Sequence, residues 1–286
     1  MNNSWHTLKK IHPPALLEAR LQLHYAIQLI AATGAALAEP LPDYSHTSLA
    51  WNPDLEVFVG SLIRSPQPFQ VALDPISLTI ILLNKHSTPI ASCPLAGKTM
   101  AEGLVWLQQE VAQLGADANK IVFLDYPPND FPDHALAHGA VFDLRQEWGL
   151  SELVDYYANT YSLLQDRIAI HEEVSAIRIW PHHFDMAALM MLPGIKNGTP
   201  RTIGVGLSPG DPSYSEPYWY VSPYPYPDIT NLPPLDGEGF WHTHHWVGAV
   251  LPASRLTGDD HAEIQRQQVE AFLHSAITTS TTLLKS

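Results

Sequence analysis

The order of apolar and polar positions along the chain predicts long helices that alternate with groups of short strands. A first helix at 13–38 is apolar around most of its circumference, so we expect it to lie deep in the fold. Thr99 and Glu102 form a capping-box pattern that begins a second helix. Apolar residues at helical spacing predict a third helix at 151–174 and a last helix at 260–276.

Between these helices, short apolar or alternating runs predict strands that are bounded by turn residues. Asn52-Pro53-Asp54 and Asp74-Pro75 are typical turn sequences. The predicted strands are 47–51, 55–60, 69–73, 78–83 and 120–126 in the first half, and 176–180, 184–192, 202–207, 218–222 and 240–251 in the second. This pattern predicts an α+β fold with mixed or antiparallel sheets and long helices.

Both halves of the chain repeat one order of elements, a long helix followed by several strands and a closing helix. The order predicts an N-terminal α+β half (1–126), a connection rich in Pro, Asp and His (127–150) and a C-terminal α+β half (151–286). Two pseudo-symmetric halves that share a core or a cleft would have this order, and His46 would then reach the cleft of the second half. A single mixed α+β domain without duplication fits equally well.

Composition excludes several classes of partner. The formal net charge is −14, from 15 Lys and Arg against 29 Asp and Glu, and no basic cluster is present, so we expect binding to neither nucleic acid nor an anionic membrane. The single Cys93 excludes intrachain disulfides and a Cys-rich zinc site. Residues 1–10 lack the apolar core of a signal peptide, and the first helix carries charges that a membrane span would bury. A cytoplasmic protein is expected.

Histidine is unusually frequent, with 15 residues, and two aromatic-flanked segments of the second half concentrate it. On an extended strand alternate side chains share a face, so His183 and Asp185 would point together, as would His242 and His244. Two imidazoles and one carboxylate can bind zinc or non-haem iron. The sequence therefore predicts a mononuclear zinc or iron site held by His183, Asp185 and either His242 or His244.

The same histidines allow a sharper hypothesis and a plainer one. With Arg255 downstream, the spacing is similar to that of iron and 2-oxoglutarate oxygenases, in which an arginine pairs with the co-substrate carboxylate. In any mononuclear metal enzyme of this kind, His245, on the opposite strand face, would be a proton carrier. In the plainer interpretation the imidazoles are core or cleft groups that are hydrogen-bonded to carbonyls, and Asp185 pairs with Arg178 or Arg201.

Aromatic residues form a second candidate feature of the C-terminal half. Tyr and Trp combine a large apolar face with a polar tip, which suits the wall of a ligand site. The candidate ligand-binding residues are Trp180, Tyr218, Tyr220, Tyr224, Tyr226 and Trp241. The alternative is an ordinary buried strand at 218–222, with Trp219 in the core, followed by a proline-pinned surface loop.

Two of these segments carry a resemblance to a known family. Trp180-Pro181-His182-His183-Phe184-Asp185 and the downstream Tyr218-Trp219-Tyr220-Val221-Ser222-Pro223-Tyr224-Pro225 resemble a bacterial family known only as a domain of unknown function. The Gly-rich strand at 204–206 and the Trp/His strand at 241–252 extend the resemblance, which is clearest over 150–255. The resemblance implies a common fold and no reaction.

The sequence as a whole indicates a small-molecule-binding protein whose cleft lies in the second half. One interpretation is a mononuclear metal-dependent enzyme of hydrolase or oxygenase type, in which the metal activates water, oxygen or a substrate carbonyl. The other is a non-catalytic ligand-binding or interaction protein, in which the histidines and aromatic residues line a pocket or fill the core. Neither interpretation names a substrate.

Overall fold

The computed structural model describes residues 5–127, 130–168, 173–196, 198–258 and 261–285. Contacts divide the chain into two units, each built from segments that are separate in sequence. The meander unit consists of Glu18–Val154 and Arg178–Phe184, and the long-sheet unit consists of Met1–Leu17, Asp155–Ile177 and Asp185–Ser286. Helices combine with antiparallel sheets, which confirms the predicted α+β class.

The helices and strands are numbered in chain order. The helices are α1 (Leu17–Ala26), α2 (Gln28–Leu37), α3 (Met100–Gln113), α4 (Leu150–Ile168) and α5 (Ala262–Lys285). The strands are β1 (Ala50–Asn52), β2 (Val57–Val59), β3 (Phe69–Asp74), β4 (Thr79–Asn84), β5 (Pro89–Pro94), β6 (Arg178–Trp180), β7 (Asp185–Lys196), β8 (Thr199–Ser208), β9 (Tyr218–Tyr224), β10 (Phe240–His242) and β11 (Gly248–Pro252). Within the described ranges no helix is long and apolar enough to cross a membrane.

The meander unit is built on an antiparallel sheet in which β1 to β5 pair in sequence order. Its hairpins close as the turn residues predict: the Asn52 side chain accepts hydrogen bonds from the backbone amides of Asp54 and Leu55, and the Asp74 side chain accepts one from Ile76. Helix α2 packs so closely on the 3₁₀ turn at Ser45–Thr47 that a Cβ atom at Gly34 would lie 2.5 Å from a backbone carbonyl oxygen. Only glycine fits there.

The long-sheet unit has the strand order β10–β11–β9–β8–β7, and all these neighbours are antiparallel. Its core centres on Trp219 of β9, which is fully buried. The indole ring lies 6.4 Å from Trp5 and 5.7 Å from Tyr156, and its N–H donates to the hydroxyl of Thr160 at 2.9 Å. Trp219 is therefore a core residue, as the plainer interpretation of this strand predicts.

The helix predictions were right in kind and wrong in some bounds. The predicted helix at 13–38 begins as a 3₁₀ turn and is interrupted at Ile27, which separates α1 from α2. Residue 174 pairs with Met190 as a β-bridge, so the third helix does not extend that far. The predicted start of the last helix at 260 lies outside the described residues, and its predicted end at 276 is too early because α5 continues to Lys285.

One strand prediction was wrong, and two were wrong in their bounds. Residues 120–126 form no strand within the described ranges. The predicted strand at 47–51 begins later, as β1 at Ala50, because residues 45–47 form a 3₁₀ turn. The predicted strand at 240–251 is two strands, β10 and β11, separated by residues 243–247, where His245 has a positive φ of 67°. The sequence also missed β5, whose side chains are mostly exposed and include two prolines, so it lacks the apolar alternation of a half-buried strand.

Candidate functional site

The histidine doublet of the second half lies in the meander unit, beside a carboxylate from a distant part of the sequence. Asp130, His182 and His183 each offer one ligand atom, and these atoms all lie within 4.8 Å of one another. No other group of three His, Cys, Asp or Glu residues meets this distance in the described part of the chain. The group shares His183 with the metal set that the sequence predicts, and it adds two residues that the prediction missed.

A tight turn after β6 places the two imidazoles side by side. The amide of Phe184 donates to the carbonyl oxygen of Trp180 at 2.8 Å and closes the turn, and Phe184 has a positive φ of 58°. A bulky residue in this conformation is strained by about 1–3 kcal/mol, which full burial of its ring offsets. The rings of His182 and His183 consequently stack with their centroids 4.2 Å apart.

Side chains of helices α1 and α2 form hydrogen bonds with backbone carbonyl groups of this turn. His24 Nε2 lies 2.9 Å from the carbonyl oxygen of Pro181 and 3.1 Å from that of His182. Carbonyl oxygens only accept, so Nε2 carries the proton. The Gln28 amide donates to the same Pro181 oxygen at 2.8 Å. Burial lowers the pKa of His24 to about 3, with Arg20 lowering it further and the two hydrogen bonds opposing, so this imidazole is neutral.

The ring nitrogen of His182 has an unusual environment. Nε2 is buried and lies 3.0 Å from a carboxylate oxygen of Asp130, yet among the described residues it has no hydrogen-bond partner, because that oxygen lies off the direction in which the nitrogen would donate. Burial lowers the pKa of His182, the neighbouring His183 lowers it further, and Asp130 opposes the shift. The depressed pKa favours a neutral imidazole, which can coordinate a metal ion.

A row of stacked aromatic rings runs from this cluster to a cavity. The Tyr126 ring lies between His182 and Phe131, with centroid separations of 4.6 and 4.8 Å and nearly parallel planes. Tyr126 and Phe131 both line a cavity of about 560 Å³ in the meander unit. The full lining is Tyr25, Gln28, Thr99, Met100, Ala101, Phe123, Leu124, Tyr126, Phe131, Leu136, Ala137 and Gly139.

The cavity lining is apolar, and its few polar groups already donate to protein partners. The hydroxyl of Tyr126 donates to the side-chain amide oxygen Oε1 of Gln28 at 2.7 Å, and that of Tyr25 donates to the backbone carbonyl oxygen of Pro132 at 2.6 Å. Thr99 is held in the capping box of α3, as predicted, by reciprocal bonds with Glu102. Burial raises the pKa of both tyrosines, so the lining carries no charge at neutral pH.

A second cavity of about 500 Å³ in the meander unit has charged as well as apolar residues in its lining. It is lined by Leu37, Ala38, Glu39, Leu41, Ser45, His46, Ser61, Leu62, Arg64 and Arg178. His46 accepts a hydrogen bond from the amide of Leu41 at 3.1 Å, and Arg64 pairs with Glu39 at 3.3 Å. His46 therefore takes part in local contacts of this unit, and its predicted role in the cleft of the second half stays a prediction.

The strand-alternation argument for the metal ligands was wrong at both segments. His183 lies in the turn, and β7 begins only at Asp185, so these two side chains do not alternate along one strand. At the other segment β10 ends at His242, and His244 and His245 are exposed in the following loop. The group of three among the described residues contains Asp130, His182 and His183, and none of Asp185, His242, His244 and His245 belongs to it.

Asp185 and His242 instead have hydrogen-bond partners within the long-sheet unit. Asp185 accepts from the hydroxyl of Tyr220. His242 Nε2 donates to the carbonyl oxygen of His244 at 2.6 Å, so Nδ1 is unprotonated in the neutral ring and accepts from the hydroxyl of Tyr214 at 2.8 Å. The ring also stacks on Trp246 at 4.4 Å. Coordination of a metal by His242 would have to break one of these hydrogen bonds.

The predicted ligand-binding tyrosines belong partly to this network. Tyr218 donates to Asp211 at 2.6 Å, and burial, reinforced by the nearby carboxylates, raises the pKa of both Tyr218 and Tyr220. Tyr224 and Tyr226 are half exposed, with ring centroids 5.8 Å apart. None of these four tyrosines lines either of the two cavities described above.

The remaining predicted site residues are Trp180, Trp241 and Arg255. Trp180 is half-buried on β6, and the indole of Trp241 donates to the carbonyl oxygen of Pro233 at 2.8 Å. Arg255, the predicted partner of a co-substrate carboxylate, donates to the carbonyl oxygen of Glu238 and lies 4.3 Å from the centre of the Phe240 ring. The contacts of Trp241 and Arg255 are with other residues of this chain, and they do not test a role in ligand binding.

The sequence did not predict the cavity wall or the ligand Asp130, because the segments that contain them were interpreted as a strand and as a connection. The apolar run at 120–126 predicts a buried strand, whereas its side chains Phe123, Leu124 and Tyr126 form part of a cavity wall. Asp130 lies in a segment that its composition marks as a connection. Its proximity to the histidine doublet, 52 residues later, is a tertiary contact without a local pattern.

Comparison with protein-family models, with curated proteins and with solved structures finds no match to this chain. The resemblance of residues 150–255 to a bacterial family of unknown function therefore stays a prediction.

Proposed function

We propose that the meander unit binds a neutral, largely apolar small molecule in the cavity lined by Tyr126 and Phe131. The observation that carries the proposal is the cavity itself, which at about 560 Å³ has the volume of a typical small-molecule site. Aromatic and aliphatic side chains dominate its walls, and the lining includes the polar side chains of Tyr25, Gln28, Thr99 and Tyr126. This combination is typical of ligand pockets in proteins.

The chemistry of the lining restricts the ligand. No lining side chain among the described residues is charged at neutral pH, so an ionised ligand would lose its hydration without a compensating partner. The hydroxyl hydrogens of Tyr25 and Tyr126 are already used, whereas their oxygens can still accept. A ligand with an apolar body and a single N–H or O–H donor therefore fits best.

The walls of the cavity are fixed before a ligand arrives. Gln28 is tied to the carbonyl oxygens of His24 and Pro181, and it positions the Tyr126 hydroxyl. The capping box at Thr99 fixes the first turn of α3, which supplies Met100 and Ala101. A preformed site loses little conformational entropy on binding, and this favours affinity for a small apolar ligand.

The fluorescent amine N-phenyl-1-naphthylamine tests this proposal because it is apolar, neutral and carries one N–H donor. We expect saturable binding at one site per chain, measured as a rise in dye fluorescence. Its anionic analogue 8-anilino-1-naphthalenesulfonate should bind at least about tenfold more weakly, which corresponds to about 1.4 kcal/mol. Equal binding of the two dyes, or a rise without saturation, would contradict the proposal.

A pair of tryptophan substitutions in α3 locates the site. Ala101 lines the cavity and Ala112 does not, and both are exposed on the same helix. Ala101→Trp should weaken binding of the dye at least about tenfold by filling the cavity mouth, whereas Ala112→Trp should leave it within about twofold. Equal effects of the two variants would place the dye elsewhere.

A metal-dependent enzyme of hydrolase or oxygenase type is the second candidate function. The observation that favours it is the group formed by Asp130, His182 and His183, which a single aromatic ring, that of Tyr126, separates from the cavity. Bound metal would be the first requirement of such an enzyme. A cytoplasmic location, which the sequence predicts, would suit either function.

A further inference from the structure

We propose that Asp130, His182 and His183 bind one divalent first-row transition-metal ion, with Zn²⁺ as the representative case. Three potential ligand atoms lie within 4.8 Å of one another. Ligand atoms around a tetrahedral zinc ion are about 3.3 Å apart, given bonds of about 2.0–2.1 Å. The ligand atoms would have to approach one another by at most about 1.5 Å to reach this geometry. This inference does not depend on whether the cavity holds a ligand.

The contact between His182 and Asp130 has the form expected of two ligands to one ion. His182 Nε2 and the Asp130 oxygen lie 3.0 Å apart without forming a hydrogen bond. Two ligand atoms of one metal have this separation because each points at the ion and not at the other. Nε2 is also buried and has no hydrogen-bond partner in the part of the chain that the structure describes, and a metal ion would supply such a partner.

The surrounding residues restrict the position of the His182 imidazole. Its ring is stacked between Tyr126 and His183, and its backbone carbonyl accepts from the buried His24. Asp130 and His183 are exposed and can move the short distance needed to close around an ion. One rigid ligand and two adjustable ones reduce the entropy that coordination has to overcome.

The donor set selects the class of ion. Two imidazole nitrogens and one carboxylate oxygen suit Zn²⁺ and Fe²⁺, whereas Mg²⁺ and Ca²⁺ prefer six or more oxygen ligands. Three protein ligands leave a coordination position for water or for an oxygen atom of a substrate.

Elsewhere in the meander unit, His138 and Asp133 form an exposed pair at 2.6 Å that belongs to no group of three among the described residues. This pair provides a matched control.

Zinc titration of the full-length chain, freed of any histidine tag and of chelator, tests the proposal by calorimetry. We expect one Zn²⁺ per chain and no binding of Mg²⁺ at the same concentrations. Asp130→Asn and His183→Ala should each weaken zinc binding by at least about 10- to 100-fold, since even outer-shell changes have effects of this size. His138→Ala should leave the affinity within about twofold.

The Asp130 and His183 variants distinguish a loss of zinc binding from a loss of folding. Asp130 and His183 are exposed and Asp130→Asn preserves the shape of its side chain, so we expect both variants to fold, which thermal unfolding checks. Absence of stoichiometric zinc in the wild-type chain would overturn the proposal. Undiminished zinc binding by Asp130→Asn and His183→Ala would also overturn it. An equal loss on His138→Ala would indicate general binding by surface histidines and would overturn it as well.

Discussion

Replacing Trp219 by alanine is expected to lower the free energy of unfolding by about 3–5 kcal/mol, the range for removal of a large aromatic side chain from a core. Trp219 is fully buried, and Trp5 and Tyr156 pack around it. Its deletion leaves a cavity lined by rigid aromatic rings that cannot easily collapse. It also leaves the hydroxyl of Thr160 without its indole donor.

Chemical denaturation followed by circular dichroism measures this loss, and a second tryptophan provides the control. Trp241 also donates its indole N–H to a protein acceptor, the carbonyl oxygen of Pro233, but it is only half-buried. We expect Trp241→Ala to lower the free energy of unfolding clearly less than Trp219→Ala. Similar losses in the two variants would contradict the central position of Trp219 in the long-sheet unit.

Acidification is expected to destabilise the protein through His24, by about 2–3 kcal/mol between pH 7 and pH 4.5. In the folded chain burial lowers the pKa of His24 from 6.5 to about 3. Above pH 6.5 the imidazole is neutral in both the folded and the unfolded chain, so it makes no pH-dependent contribution. Below pH 6.5 the unfolded chain binds a proton that the folded chain rejects until about pH 3, so stability falls as the pH falls through this window.

The variant His24→Gln isolates this contribution from the titration of the carboxylates. Glutamine does not titrate, and its amide can donate to the carbonyl oxygens of Pro181 and His182 as the imidazole does. We expect the free energy of unfolding of the variant to fall less steeply from pH 7 to pH 4.5 than that of the wild-type chain. Parallel pH profiles would show that His24 is not neutral in the folded protein or is not buried.

The parts of the fold that follow local rules were predictable from the sequence. The capping box at Thr99 and Glu102 and the Asn52 and Asp74 turns depend on residues only a few positions apart, and the structure confirms them. The division of 240–251 into two strands depends on the positive φ of His245, which the apolar pattern does not encode. The apolar run at 120–126 has the composition of a strand but pairs with no strand in the described ranges.

The candidate site was predictable only in part, for two physical reasons. The sequence identified His183, but the argument assumed a strand through Asp185, and the turn that ends at Phe184 removes that alternation. The partners His182 and Asp130 were missed because adjacent histidines on a strand would point to opposite faces and because Asp130 approaches through tertiary structure. A turn that stacks two neighbouring imidazoles has no periodic signature.

Photolabelling tests the central claim, that the cavity of the meander unit binds an apolar molecule, most directly. An aliphatic alcohol that carries a diazirine is neutral, has one O–H donor and attaches covalently to its surroundings on illumination, and mass spectrometry of peptides then locates it. We expect saturable labelling of Met100, Phe123 or Leu124 in the cavity wall, which excess N-phenyl-1-naphthylamine suppresses. Labelling confined to exposed residues outside the cavity, such as Tyr44 and Ile195, would contradict the claim.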